Sequence, residues 1–403
     1  MKTRESILFQ GVNSNILALS FARFADALGN SLMFVLLPLY ITSLPSPNLP
    51  WSEAILVSVT LSLYGVVNTF LQPLVGILTD RVDRRKPLIL VGLLIMGLGT
   101  GAFTLARTFS DLLIIRLLQG IGVALTVPAS LAIINSSSVK SSRGRSMGFY
   151  STLRLLGFAI GPLLGGLLHL KFGFTTAFYV GAGITLLGVI AVQVWVKETP
   201  LVVKEAQTTA PPLAVFDPKI WNKSIITLGA AMLMMASAYS MMSALENEFN
   251  ARLQQTALGF GVAFSALTVS RMIVQTPLGY LSDKIGRKPL IVSGMILMAP
   301  ATVWLGLVGS TLELTAARAL QGVTSAAVAS PAFALVGDLS AKEGEGRQMS
   351  IITTGFFLGI AIGPLIAGFL SQIAFHLPFL IGGGMLLIGA AIVQLFVPES
   401  RES

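Results

Sequence analysis

Twelve runs of roughly 20 predominantly apolar residues follow one another along the 403-residue chain, separated by short polar or Gly/Pro-containing breaks. A helix needs about 20 such residues to cross a bilayer, whereas a barrel strand needs about half as many. Inside lipid every backbone N–H and C=O must be satisfied within the structure, so runs of this length can cross only as helices. The sequence therefore predicts an all-α polytopic membrane protein of 12 transmembrane helices. The spans lie near 15–43, 54–79, 87–106, 112–135, 146–170, 175–196, 224–245, 258–281, 289–309, 314–337, 349–371 and 378–397. Charged residues make up 11% of the chain, against about a quarter in a soluble protein, which excludes a water-soluble enzyme. The first run carries Arg23 and Asp26 and lacks a small-residue cleavage site, so it reads as a retained helix and not a signal peptide. With no cysteine, disulfides, thiolate metal sites and cysteine nucleophiles are excluded.

Loop charge predicts the orientation. Of the 27 Lys and Arg residues, 19 fall on the side holding both termini, three (Arg107, Lys171 and Arg252) on the other, and five inside spans. Both termini are thus expected in the cytoplasm, with the chain in the inner membrane. These loops account for the net charge of +9 and would meet anionic headgroups. The bilayer is the expected partner, and nucleic acid is not.

One pattern occurs twice, at an offset of 202 to 203 residues. Gly76-Ile-Leu-Thr-Asp80-Arg81-Val-Asp83-Arg84-Arg-Lys-Pro87 matches Gly279-Tyr-Leu-Ser-Asp283-Lys-Ile-Gly286-Arg287-Lys-Pro289 at the ends of spans 2 and 8. Arg116-Leu-Leu-Gln119-Gly120 matches Arg318-Ala-Leu-Gln321-Gly322 in spans 4 and 10. Gly157-x3-Gly161-Pro162-x2-Gly165-Gly166 matches Gly359-x3-Gly363-Pro364-x2-Ala367-Gly368 in spans 5 and 11. Each copy holds an even number of spans, so the two enter the membrane in the same direction as parallel repeats. This predicts an N-terminal six-helix bundle over 1–196, a linker over 197–223 and a C-terminal six-helix bundle over 224–403, with a cavity between the bundles near the midplane. Rocking of the halves about that cavity would give alternating access.

These motifs resemble the major facilitator superfamily, and the resemblance covers essentially the whole chain. The first is similar to that family's loop signature, although Asp83 stands where the signature has glycine. Gly148-x8-Gly157-x3-Gly161-Pro162-x2-Gly165-Gly166 matches in full the antiporter signature of drug:proton antiporters. Asp26-x-x-Gly29 with Pro38 in span 1 is similar to twelve-span tetracycline-type and multidrug exporters, with Val35 in place of a further proline. The resemblance implies export, and it implies that spans 3, 6, 9 and 12 face lipid while the others line the cavity. It also implies a gate built from Gly76, Asp80, Arg81 and Arg84 with Gly279, Asp283 and Arg287. The signature glycines Gly148, Gly157, Gly161, Gly165 and Gly166, with Pro162, would serve conformational change.

An ionisable side chain in hydrocarbon is costly and is a functional candidate by default. Six occur in the spans: Arg23, Asp26, Arg116, Arg154, Arg271 and Arg318, and none lies in spans 3, 6, 9 or 12. Asp26 is the single deep carboxylate, so it is either the proton carrier or one half of a permanent ion pair; Arg23, three residues away on the same face, is either that partner or a substrate contact, and both residues are expected to line the substrate cavity. Arg116, and by repeat symmetry Arg318, would tune a carboxylate or fix helix packing, since arginine does not release a proton usefully. Arg154 and Arg271 are candidate substrate contacts, with Asn68 at the position equivalent to Arg271. Gln72 and Gln275 would bond substrate or neighbouring helices. Met235 and Tyr239 belong to a methionine-rich stretch of span 7 that would either line a pocket or pack in a core. His169 and His376, near span ends, read as interfacial anchors with no metal site.

The expected function is secondary active transport: proton-coupled efflux of amphiphilic, drug-like small molecules by a monomer. The alternative is a proton-coupled transporter or flippase of lysolipid, glycolipid or another anionic or zwitterionic amphiphile, suggested by five arginines facing one aspartate. No phosphate loop or nucleophile motif is present, so a proton gradient and no cofactor is the expected drive.

Overall fold

The computed structural model describes residues 13–44, 51–82, 84–138, 142–198, 222–339 and 345–399. Most of the expected linker, and the side chain of Asp80, lie outside them. Every regular element among the described residues is helical: α1 (Ser14–Ser43), α2 (Glu53–Arg81), α3 (Lys86–Ala102), α4 (Phe109–Ser137), α5 (Arg143–Trp195), α6 (Lys223–Ser240), α7 (Glu246–Leu253), α8 (Ala257–Ile285), α9 (Arg287–Leu305), α10 (Thr311–Leu339), α11 (Glu345–Leu370) and α12 (Leu377–Phe396). Short 3-10 turns follow α3 and α6. As one straight helix the 53 residues of α5 would run about 80 Å, more than twice the hydrocarbon thickness. Gly173, at φ 77° and ψ −178°, breaks it into arms 143–172 and 174–195. A residue without Cβ adopts that φ freely. With those two arms counted apart, the eleven long apolar helices make twelve crossings, and the chain is a multi-pass membrane protein.

Local chemistry sets the helix ends. The side chains of Asn13, Ser52 and Asn222 accept first-turn N–H groups at the starts of α1, α2 and α6, and Thr108 with Asp111 forms a reciprocal cap on α4. Pro128 and Pro162 recur as Pro331 and Pro364, and each removes a ladder bond inside its helix.

In the first half α1 packs on α5, α4 on α2 and α3, and α3 on α5; in the second, α6 packs on α11 and α12, α10 on α8 and α9, and α9 on α12. The halves meet along α5 with α8 and along α2 with α11. Large apolar side chains such as Leu98 of α3, Val194 of the second arm of α5, Leu297 of α9 and Leu395 of α12 are exposed. Within these helices the charged residues stand only at the first turn, Lys86 of α3 and Arg287 and Lys288 of α9.

The two ends of the molecule pack differently. Where the basic loops lie, here the basic end, the buried cores are separate. One surrounds Ile16, Leu93, Ile134 and Val192 of the first half, and the other Met232, Met295, Val336 and Val393 of the second. At the far end a single core draws on both halves, with Leu36, Val57, Phe103 and Phe178 against Met242, Phe249, Phe260 and Phe379. The change is visible along α8, whose buried positions run from Ala257 to Thr268 and do not resume until Ser282. The halves are thus sealed together at the far end and part toward the basic end.

Candidate functional site

Asp26 lies in the middle of α1 and is 2% exposed. Arg23, one turn earlier, donates Nη1 to Asp26 Oδ2 at 2.5 Å. Asp26 Oδ1 and Arg23 Nε have no hydrogen-bond partner. Arg154 of α5 stands within electrostatic range of both, and Tyr64 and Tyr150 within range of Arg23. An acid with one oxygen bare in a desolvated setting is costly unless its charge state or its neighbours change.

Arg154 reaches across the interface. Its guanidinium lies 5.4 Å from the ring centre of Phe158 on its own helix and 5.5 Å from that of Phe357 on α11. Arg271 of α8 lies over Phe356 at 5.6 Å, and Tyr239 packs on the same ring. Phe34 of α1 stacks on Phe264 of α8 at 5.1 Å and lies 6.5 Å from Phe158, so these rings and the two arginines form one aromatic cluster across the interface, the candidate chamber. Neither Arg154 nor Arg271 forms an ion pair among the described residues. Asn68 Oδ1 and Gln275 Oε1 are buried without partners, and Gln72 is half-buried. Met235 does not line the chamber: it is fully buried in the core of the second half beside Met232, where an unbranched thioether fills an irregular gap.

Arg116 and Arg318 sit in matching polar triads. Arg116 Nη1 donates to Gln119 Oε1 at 3.1 Å, and Gln119 Nε2 donates to Thr100 Oγ1 at 3.0 Å. Arg318 Nη1 donates to Gln321 Oε1, and Gln321 Nε2 to Thr302 Oγ1, both at 2.8 Å. Arg116 also reaches Asn30 Oδ1 of α1, and Arg318 the Tyr239 carbonyl of α6. Each triad ties three helices together through a buried cation, and neither holds a carboxylate. This geometry is a helix clasp.

The glycines of α5 divide their contacts between the halves. A methyl added at Gly157, Gly161 or Gly165 would strike α1, at Phe24, Ser31 and Leu32. One added at Gly166 would strike Ala257 and Leu258 of α8 in the other half, and Gly261 of α8 lies in turn against the Pro162 carbonyl. The second copy repeats this, with Gly359 and Gly363 against α6 and Gly368 against Ala54 and Ser58 of α2. Small residues let helices approach closely in lipid, where dispersion and not the hydrophobic effect holds them together. Gly148 is exposed and touches nothing within 4 Å.

At the basic end Asp283 pairs with Arg287 at 3.0 Å, and Arg287 also pairs with Asp338 of α10, all within one half. Arg81 and Arg84 are exposed. Gly76 has no neighbour that an added methyl would meet, and Gly279 meets only Ser330 at 3.6 Å. Gly286 adopts φ 99°, which the glycine of the second loop motif permits. His169 lies against Phe174, and His376 precedes α12.

Two features escaped the sequence reading. The Glu198 carboxylate accepts the backbone N–H groups of Arg85 and Lys86 at the start of α3, where the helix dipole favours negative charge. Glu399 lies against Gly286 at the start of α9. Val196-x-Glu198 and Val397-x-Glu399 are a fourth repeated motif that a comparison of the halves could have found. The other is Glu246, fully buried at the start of α7. The predicted span ends at Leu245 and leaves this acid outside it, although Leu245, Phe249 and Leu253 continue a helical spacing beyond it.

The Major Facilitator Superfamily profile matches residues 19–262 and 225–403. Among curated proteins, the chain is 29% identical over 356 residues to a synaptic vesicular amine transporter of Bos taurus, covering 86% of this chain and 66% of that one. It is 26% identical over 350 residues to a homolog of the multi-drug resistance efflux pump PmrA from Lactococcus lactis, covering 85% of each. Among solved structures, a bacterial homolog of the human lysosomal transporter Spinster, in an inward-facing and occupied conformation, superposes with a TM-score of 0.79 at 15% identity, over 94% of this chain and 95% of that one.

Proposed function

We propose, for a chain that belongs to the major facilitator superfamily and is a transporter and not an enzyme, that it exports amphiphilic, drug-like molecules in exchange for protons. In this reading the basic end faces the cytoplasm of an inner membrane, and a single chain suffices because it carries both halves of the cavity. The observation that carries the proposal is the buried Arg23–Asp26 pair with its bare Oδ1, set beside an aromatic chamber between halves that are sealed at one end. A proton on Asp26 discharges the pair and frees Arg23; loss of that proton restores it. Either event changes the charge that the chamber presents to cargo, which couples the two. The efflux activity in the name of the lactococcal relative supports the direction.

Everted vesicles loaded with a fluorescent amphiphile panel test this. Asp26→Asn should abolish accumulation driven by a pH gradient while leaving gradient-free exchange. Undiminished proton-driven accumulation in that variant would refute Asp26 as the carrier.

A second reading has its own support. Arg154 and Arg271 present guanidinium groups on aromatic faces with no carboxylate paired to them, a setting that suits an anionic or zwitterionic headgroup carrying an apolar tail. On this reading the cargo is a lysolipid-like or glycolipid-like amphiphile.

A further inference from the structure

Glu246 begins α7 directly after the 3-10 turn Met241–Ala244 that interrupts the helical path from α6. It is 0% exposed, its Oε2 has no partner, and its Oε1 receives only a long bond of 3.4 Å from Asn250 Nδ2. Its neighbours Met242, Leu245 and Phe249 belong to the apolar core shared by both halves at the far end. The next residue, Asn247, donates its side-chain amide to the Pro38 carbonyl of α1 at 3.0 Å, a bond between the halves. Glu246 therefore sits in the seam that keeps the far end shut.

Among the described residues no charged group compensates it from any element packed nearby. On α7 itself are Glu248, which faces Glu53 of α2, and Arg252, which lies over Phe375. The α1 residue at this level is Tyr40, whose hydroxyl donates to the Ala106 carbonyl. At this end α8 and α11 carry no ionisable residue, His376 stands at the start of α12, α6 has Tyr239, and on α10 Glu313 accepts the Gly309 N–H while Arg318 is held by the Tyr239 carbonyl and Gln321. Burial alone pushes the Glu246 carboxyl well above the ordinary range.

We propose that Glu246 is a second proton-binding site, separate from Asp26, and that its occupancy holds the far-end gate closed. Protonated, the carboxyl stays in the apolar seam. Ionised, it must be hydrated, and the seam has to part for water to reach it. The proton is taken from and returned to the solution on the far side, so it gates the cycle without being carried across. Low pH on that side favours closure; as pH rises past the ordinary glutamate range near 4.3, the closed state loses its advantage until the raised value is passed.

The chain has no cysteine, so Val57→Cys, in the shared core, gives a single labelling site. With a membrane-impermeant thiol reagent on the far side, labelling should accelerate with far-side pH by more than the thiol's own titration, up to the one-proton limit of about tenfold per pH unit. Glu246→Gln, near-isosteric and permanently neutral, should remove that excess and leave slow labelling that follows only the thiol's own titration, while an unchanged Tm of the purified variant reports that it is folded. The same pH profile in Val57→Cys with and without Glu246→Gln overturns the proposal, as does fast labelling of the Gln variant. The assay needs no proton-driven transport. Repeating it with Asp26→Asn therefore separates failure of this site from failure of Asp26 as carrier.

Discussion

Gly166→Ala should bias the molecule toward the state open at its far end. A methyl at this position would stand 2.6 Å from the Ala257 carbonyl oxygen, 2.7 Å from Leu258 Cα and 2.9 Å from the Ala257 carbonyl carbon, where ordinary contact begins at 3.4 Å. All three are backbone atoms of the opposite half, so no rotamer change relieves the clash, and α5 and α8 must separate by roughly 0.8 Å at this point. Overpacking of this kind costs about 1–3 kcal/mol. The opposite state is spared, because the halves part there, so the closed-to-open ratio should fall by about 5- to 150-fold. Far-side labelling of Val57→Cys should rise by a similar factor. Gly157→Ala is the control: its methyl would stand 2.5 Å from the Phe24 carbonyl oxygen, within one half, so it should lower thermal stability without changing the balance between states. If Gly166→Ala raises labelling no more than Gly157→Ala does, the glycine seam does not control the far-end gate.

Gln321→Leu removes the acceptor of a buried charged donor and should cost about 2 kcal/mol, lowering the Tm of purified protein by several degrees. An unchanged Tm would show that the clasp contributes nothing. Arg154→Ala and Arg271→Ala should each raise the KM of anionic amphiphiles about tenfold, or 1.4 kcal/mol, with little effect on cations. Equal losses for both cargo classes would remove the anion reading. Glu198→Gln keeps the shape of the cap on α3 but not its charge and should cost under about 1 kcal/mol, read as a small fall in Tm that added salt diminishes. A larger fall, insensitive to salt, would assign Glu198 to packing and not to the helix dipole.

The number of crossings and the recurrence of whole motifs were legible in the sequence because they rest on local composition and on a repeat that shifts those motifs together. Even the break between the fifth and sixth crossings was readable, since Gly173 supplies a backbone angle that few other residues tolerate. Spacing put Asp26 and Arg23 on one helix face and left Arg23 as either a pairing partner or a substrate contact; the structure joins the two. What each remaining polar group touches was not readable. Arg318 bonds the backbone of Tyr239, 79 positions earlier, and Gly166 meets α8 about 90 residues later. Met235 could have faced cargo or core, and only the placement of its neighbours decided for the core. Glu246 fell just past an apolar run, where sequence reads an exposed loop, yet long-range packing wraps it completely. Periodicity and hydropathy state which residues can enter a membrane. Which of them lose their water, and at which end the two halves seal, is set by contacts between segments that only folding brings together.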